Sequence, residues 1–316
     1  MPERIRLGES ELWLIRESEV QAHLTMARAL DAVETAFRDW AHGRATNQPR
    51  QRVHTLQGTL HLMGAAWRHY LGYKSYFSFA GGTRFVVVLA SAQTGELLAL
   101  IEADWLGKIR TGAATGVATR HLARPEAHCV ALLGAGSQAS TQLQAVCAVR
   151  PLRTVRVWSR TTERSQAFCK MMSDLLEVEL SPVTSVEQAM DGADIVITVT
   201  AAREPLVSGA MLKPGMHLNA VGANSLARRE LDTHAVARCD RIFVDDVAQA
   251  RIESAELVIP IELRRLSWEC VLPLASLVGG LAVGRQSPEE ITLFKSLGIA
   301  LEDVAVASAV YESLIG

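Results

Sequence analysis

The sequence has no C-x-x-C pair, no long apolar run and no excess of charge of either sign. Each absence removes a class of protein. The five cysteines, Cys129, Cys147, Cys169, Cys239 and Cys270, are odd in number and widely spaced. That pattern argues against a disulfide framework and against a zinc site, so no metal is expected, and it fits a reducing compartment. No apolar stretch reaches about 18 residues, the length a membrane-crossing helix needs. The opening MPERIRLGES is charged and lacks the apolar core of a signal peptide, so the expected location is the cytoplasm. Lys and Arg number 32 against 34 Asp and Glu, a formal net charge of −2. The arginines are scattered, so neither nucleic acid nor a membrane surface is expected as a partner. Internal repeats and low-complexity segments are absent.

What is present is an ordinary globular composition, 49% apolar and 21% charged. The 316 residues suggest about two domains. From Glu17 to Gly43, apolar residues at helical spacing (Val20, Leu24, Ala27, Leu30, Val33, Phe37) predict a helix stopped by Gly43. The β-rich stretches RVHTLQGTLHLM, YLGYKSYFSF and TRFVVVLASAQTGELLALIEA follow. Gln57-Gly58 and Thr94-Gly95 between them suggest antiparallel hairpins. The next segment, DWLGKIRTGAATGVATRHLA, reads as a helix with Asp104 as its N-cap.

From about residue 127 the texture changes. Short apolar runs (HCVALLG, TVRVW, LEVEL, DIVITVT, MHLNAVG and RIFVDD) alternate with helical or turn segments. Alternation of this kind means βαβ units. Six such strands between about 129 and 245 are the size of one doubly wound α/β domain with a parallel sheet. Near the C-terminus, Ser287 as N-cap, Pro288 at the first helical position and Glu290 three residues on predict a largely apolar helix that needs burial.

Gly134-Ala135-Gly136-Ser137-Gln138-Ala139 fits G-x-G-x-x-G/A, directly after a strand-like run and at the start of a helix. Gly134 suits the tight turn. Gly136 lets backbone approach a pyrophosphate, and the helix N-terminus faces the negative charge. The second strand ends in Ser159-Arg160-Thr161, with no acid at its tip to receive a ribose 2′-hydroxyl. A guanidinium flanked by hydroxyls suits a phosphate, so NADP(H) is the preferred cofactor and NAD(H) the other possibility.

In order along the chain, KIRTGAATGVATRHLARPEA, LLGAGSQA, GADIVITVTAAREPL, LKPGMHLNAVGAN, RRELD, VDDVAQAR and EITLFKSLGIALEDVAVASAVYE resemble the ornithine cyclodeaminase/mu-crystallin family over nearly the whole chain. The resemblance implies a Rossmann NAD(P)-binding domain, residues 123–289, inserted in a split α+β domain. The split domain, residues 1–122 plus 290–316, binds substrate and forms a homodimer. It implies hydride transfer at a carbon that carries nitrogen beside a carboxylate, on a small amino or imino acid. Arg50 and Arg110 match positions where the family holds the substrate carboxylate, and Arg110 also falls at the cofactor. Lys74 matches the active-site lysine, which contacts substrate and serves catalysis. Thr83, Ser137, Gln138, Thr200 and Ser296 match NAD(P)-contact positions. Leu297 lies where the family lines the substrate pocket, and Val221 and Gly222 end the strand beside the nicotinamide.

One departure sharpens this. The family's cyclodeaminases carry an aspartate for acid–base steps where this chain has Val221-Gly222-Ala223-Asn224. A carboxylate exchanges protons, whereas the carboxamide of Asn224 does not at ordinary pH. Cyclodeamination requires several proton transfers, and reduction of an already protonated imine requires fewer. The expectation is therefore an NAD(P)H-dependent reductase of a small cyclic α-imino acid such as Δ1-pyrroline-2-carboxylate. Ornithine cyclodeaminase, an alanine-type dehydrogenase and a non-catalytic nucleotide binder are the alternatives.

Overall fold

A computed structural model describes residues 2–7 and 10–315. The chain forms two compact units, Met1–Ala113 with Gly298–Gly316, and Ala114–Leu297. The expected joins at 122/123 and 289/290 therefore move. Residues 114–122 fall in the second unit, where the Thr119 hydroxyl accepts from Asn219 and Arg150 donates to the carbonyls of Thr119, Arg120 and Ala123. Residues 290–297 fall there too, because they supply a strand to that unit's sheet.

The first unit begins with β1 (Glu3–Leu7), β2 (Ser10–Ile15), α1 (Glu17–His23) and α2 (Met26–Ala41). The single helix expected over 17–43 is thus two. Thr25 adopts extended backbone and its hydroxyl accepts from the Arg28 N–H at 3.3 Å, which starts α2 afresh. The chain then forms β3 (Ala45–His54), β4 (Gly58–Trp67), β5 (Tyr70–Phe79), β6 (Gly82–Ser91) and β7 (Leu97–Glu102). β3 to β7 make an antiparallel meander, as the Gly turns suggested, and β2 joins β7 in parallel. The sheet order is β1-β2-β7-β6-β5-β4-β3. In β5, buried Tyr70, Gly72, Lys74 and Tyr76 alternate with exposed Leu71, Tyr73 and Phe77. The C-terminal helix, Ala300–Ile315, packs on β3, β4, β5, β6 and α2.

The next helix, α3 (Asp104–Leu122), starts at Asp104 itself, so Asp104 is not its N-cap. Glu17 does that work from α1, accepting from the N–H groups of Asp104 at 3.2 Å and Trp105 at 2.5 Å. Asp104 instead pairs with Lys108 one turn on.

The second unit contains β8 (Cys129–Leu133), α4 (Ala139–Cys147), β9 (Thr154–Trp158), α5 (Thr162–Ser173), β10 (Glu179–Val183), β11 (Ile195–Thr198), β12 (His217–Ala220), β13 (Arg241–Val244), β14 (Val271–Pro273) and β15 (Thr292–Lys295). All eight strands pair in parallel, in the order β10-β9-β8-β11-β12-β15-β13-β14. Six are those expected, although the third begins only at Glu179, near the end of LEVEL, and runs on to Val183. The sheet is buried on both faces. Val130, Leu132, Ile195 and Ile197 pack on one side and Ala131, Leu133, Val196 and Leu218 on the other. The chain runs from β8 outward to β9 on one side and returns to β11 on the other. That reversal makes the carboxyl ends of β8 and β11 the crevice where such sheets bind ligands.

The helix expected from Ser287 is a correction. Residues Thr292–Lys295 form β15 between β12 and β13, and the helix starts only at Ala300. The run ITLF is β-branched and aromatic and lies fully in the sheet core, so burial on two faces outweighs the capping pattern before it. No helix among the described residues is long and apolar enough to cross a membrane.

Candidate functional site

In the first unit the sheet and α3 present three cations to the segment from Gly298 to Asp303. Arg50 sits where the β3–β4 register shifts, between Gln48 and Gln51. Pro49 there cannot donate to the ladder, and the bulge re-aims the arginine inward, where it is 4% exposed. Its Nη2 donates to the Gly298 carbonyl at 2.8 Å. Lys74 arrives by the alternation of β5 and is 2% exposed, with Nζ 2.9 Å from Asp303 Oδ1. Arg110, on α3, donates from Nε to the same Asp303 oxygen at 3.0 Å and from Nη1 to Glu302 Oε2 at 2.7 Å. The structure thus brings Arg50, Lys74 and Arg110 together around two buried carboxylates.

Burial is the main reason the Lys74 ammonium falls to about 8 from its ordinary range. Asp303 opposes that shift, and the Arg110 and Arg50 charges add to it. Beside it runs a row of rings. His61 stacks on Tyr76 with centroids 4.1 Å apart and planes 5° apart, and Tyr76 lies 5.1 Å from Phe85. Lys74 Nζ stands 5.1 Å from the Phe85 ring centre. Burial, then Arg52 and Arg50, push the His61 imidazole down to about 4, so the ring is neutral near pH 7. Thr83, exposed near the β5–β6 turn, pairs with Ser78, two residues from Phe85 along the same face of β6.

In the second unit the glycine loop follows β8. Gly134 has φ +118° and donates its N–H to the Trp158 carbonyl at 2.8 Å. A Cβ there would stand 2.6 Å from the Val199 carbonyl oxygen, so only glycine fits. Gly136 is exposed, and a Cβ on it would meet nothing within 4 Å. The loop is therefore shaped by protein at Gly134 and left open at Gly136, where a pyrophosphate needs room. Ser137 and Gln138 lead into α4. The residues fit a dinucleotide. The tip of β9 carries Ser159, then exposed Arg160 and Thr161, and Thr161 is the N-cap of α5 with no side-chain hydrogen bond into that helix.

The tips of β11 and β12 carry Thr200 and the turn of Val221 and Gly222. Thr200 directs both its N–H and its hydroxyl to Glu230 Oε1, at 2.7 and 2.8 Å. The Gly222 N–H reaches Glu230 Oε2 at 2.7 Å. Val221 continues the ladder, donating to the Thr198 carbonyl at 2.8 Å. Asn224 follows, half-buried. Ser296 and Leu297 end β15. The Leu297 N–H donates to Asp245 Oδ2 at 2.6 Å, and its side chain packs in the unit's core. Ser296 Oγ lies 3.5 Å from the same oxygen.

Sequence reading missed the acids that hold these groups. Glu302 and Asp303 had a visible signal, a pair of carboxylates inside an otherwise apolar helix. Lys295, fully buried in ITLFKSLG, had one too. Glu230 had none, because within ARRELD it looks like one more surface charge.

Known proteins of similar sequence and fold identify the family. The sequence model of the ornithine cyclodeaminase/mu-crystallin family matches residues 11–316. A Δ1-pyrroline-2-carboxylate reductase from Bacillus cereus is 38% identical over 231 residues, 73% of this chain and 71% of that one. The solved structure of Thermococcus litoralis Δ1-pyrroline-2-carboxylate reductase in complex with NADH and L-proline gives a TM-score of 0.91 at 32% identity, covering 95% of this chain and 96% of that one. An archaeal alanine dehydrogenase dimer with bound NAD also gives 0.91 at 32% identity, over 96% of this chain and 95% of that one. Matched in order over nearly its whole length, this chain belongs to the ornithine cyclodeaminase/mu-crystallin family.

Proposed function

We propose that the protein is an NAD(P)H-dependent reductase of a small cyclic α-imino acid of the Δ1-pyrroline-2-carboxylate type. The observation that carries this reading is the buried cluster of the first unit. Three cations, Arg50, Lys74 and Arg110, gather with two carboxylates, Glu302 and Asp303, in a water-poor place. Two guanidinium forks held in such a place suit a substrate carboxylate, which they can bind bidentately. Arg50 orients the carboxylate. Arg110 is braced by Glu302 and Asp303 and sets the field. Lys74 Nζ holds a proton near neutral pH and keeps the imine nitrogen in its electrophilic, protonated form. The neutral rings of His61, Tyr76 and Phe85 supply an apolar wall for a small ring. The bound nicotinamide supplies the hydride. Asn224 exchanges no proton, which favours reduction over the longer sequence of proton transfers in cyclodeamination.

This reading divides the labour by domain, with substrate binding and self-association in the first unit and cofactor binding in the second. In the second, Gly134, Gly136, Ser137 and Gln138 receive the pyrophosphate, and Thr200, Val221 and Gly222 flank the nicotinamide. Arg160, Ser159 and Thr161, with the amino end of α5, favour the 2′-phosphate of NADP(H). The apolar outer face of the first unit's sheet is covered by a second copy. The dimeric alanine dehydrogenase relative supports that assembly.

One set of assays tests the reading. Purified protein is given Δ1-pyrroline-2-carboxylate with NADPH or NADH, and separately ornithine with catalytic NAD⁺ or alanine with NAD⁺. Consumption of reduced cofactor with the imino acid, faster with NADPH, is expected. Ammonia from ornithine without net cofactor change would overturn it in favour of cyclodeamination, and reduction of NAD⁺ by alanine alone in favour of a dehydrogenase. Arg160→Ala is expected to lower kcat/KM for NADPH about tenfold or more while sparing NADH.

A further inference from the structure

Beyond the carboxyl ends of β11, β12 and β15 the second unit buries three ionic side chains, Glu230, Glu256 and Lys295, all at zero exposure. Each oxygen of Glu230 accepts two hydrogen bonds. Oε1 takes the N–H and hydroxyl of Thr200, and Oε2 takes the Gly222 N–H and, at 2.8 Å, the Thr198 hydroxyl. The Glu230 N–H donates to Glu256 Oε1 at 3.0 Å, and Glu256 Oε2 lies 3.7 Å from Lys295 Nζ. Lys295 Nζ in turn donates to the carbonyls of Ala223 at 2.5 Å and Ala220 at 3.3 Å. The turn 220–223 is therefore gripped from both sides, at its central amide by an anion and at its flanking carbonyls by a cation. Steric fit closes the grip, since a Cβ on Gly222 would stand 2.2 Å from the Thr200 carbonyl oxygen and 2.5 Å from Glu230 Oε1. Thr200 also borders the glycine loop, with its Cγ2 3.2 Å from the Cβ position of Gly134.

Buried ions are a poor way to gain stability, because desolvation offsets most of their attraction. Their frequent use is to impose one geometry. Here the side-chain hydrogen bonds of Glu230 and Lys295 land on the 220–223 turn, on Thr198 of β11 and on Thr200 just beyond it. We propose that Glu230 and Lys295 are positioning residues for the nicotinamide half of the dinucleotide, acting through Thr200 and the 220–223 turn. This rests on the reading that the second unit binds NAD(P). No side-chain hydrogen bond of either residue goes to the glycine loop or to Ser159–Thr161, so the effect of removing one is expected at one end of the cofactor.

That asymmetry is the test. Dissociation constants for NADPH and NADH are measured beside those for ADP-ribose and its 2′-phosphate, which lack nicotinamide, on wild type, Glu230→Gln and Lys295→Met. In Glu230→Gln an amide NH₂ faces donors that had an acceptor. The dinucleotide Kd is expected to rise about tenfold, with ADP-ribose binding unchanged and kcat reduced more than KM for the imino acid. Thr198→Val, an isosteric change that removes one donor to Glu230 in the middle of the sheet, is the milder variant should the others fail to fold. It is expected to shift the same ratio in the same direction by roughly threefold. Equal weakening of dinucleotide and ADP-ribose, or a lower melting temperature with both constants unmoved, would overturn the proposal and leave a purely structural network. Wild type that binds neither ligand would instead overturn the cofactor reading, and the positioning role with it.

Discussion

Lys74 owes its chemistry to strand alternation. The period of two that puts Tyr70, Gly72 and Tyr76 inward takes Lys74 with them, and burial then brings its ammonium to about 8. If this proton serves the imine, kcat/KM falls on the alkaline side as pH rises through about 8, because the deprotonated amine no longer stabilises or supplies the proton. Lys74→Arg keeps the charge and is expected to move that limb out of range. Lys74→Met is expected to lower kcat about a hundredfold or more. An unchanged alkaline limb in Lys74→Met would assign it to another group. His61, at about 4, adds no acid limb near neutrality. Asn224→Asp puts an exchangeable proton on the turn after β12, and under the proposed function a measurable gain of ammonia release from ornithine is expected. No gain at all would mean that this position does not set the reaction type. At this scale the cations were legible, and only through family resemblance, since Arg50 and Lys74 taken alone resemble ordinary surface charges. Their acidic partners are some 200 residues away in sequence, as with Arg110 and Glu302 at a separation of 192. Local spacing carries no trace of such a pairing.

Elements were legible where one local force ruled. The glycine loop was readable because Gly134 must adopt φ +118° and because a strand precedes it and a helix follows. The six alternating strands were readable from their apolar runs. Three features failed where a second force intervened. Thr25 interrupts a continuous apolar periodicity with a cap, so periodicity alone joined α1 to α2. The Ser287-Pro288 pattern mimics a helix start, yet the ITLF run is claimed by the parallel sheet. Asp104 looks like an N-cap, but Glu17 from another helix occupies that role. The 220–223 turn shows how much an element depends on such distant partners. Gly222→Ala places a methyl against a carbonyl and a carboxylate that are both held in place. A loss of about 1–3 kcal/mol is expected, seen as a lower melting temperature, together with weakened dinucleotide binding. A variant as stable as wild type with full cofactor affinity would show that the turn is looser than its hydrogen bonds imply.

At the scale of the whole molecule, the first unit leaves one sheet face uncovered. The C-terminal helix takes the face of Lys74, and the alternation that buries it turns Leu71, Tyr73, Phe77 and Phe79 outward on β5. Val53 on β3 and Leu62 on β4 join them by register, since Val53 pairs with Leu60 and Leu60 with Phe77, while Leu62 pairs with Ser75. Each of these six side chains is between 38% and 55% exposed. A continuous apolar face of this kind on a structured sheet marks an interface. Under the proposed function a second copy of the same face covers it, and such an isologous contact would close the assembly at two chains. A dimer is therefore expected in light scattering. Tyr73→Asp with Phe77→Asp buries two like charges at its centre and is expected to weaken it roughly a hundredfold or more, giving monomer at micromolar concentration. The substituted side chains lie on the opposite face of β5 from Lys74, so cofactor binding by the second unit is expected to persist in the monomer. A wild type that is already monomeric, or a double variant that remains a dimer, would place the interface elsewhere and leave this apolar face in need of another partner.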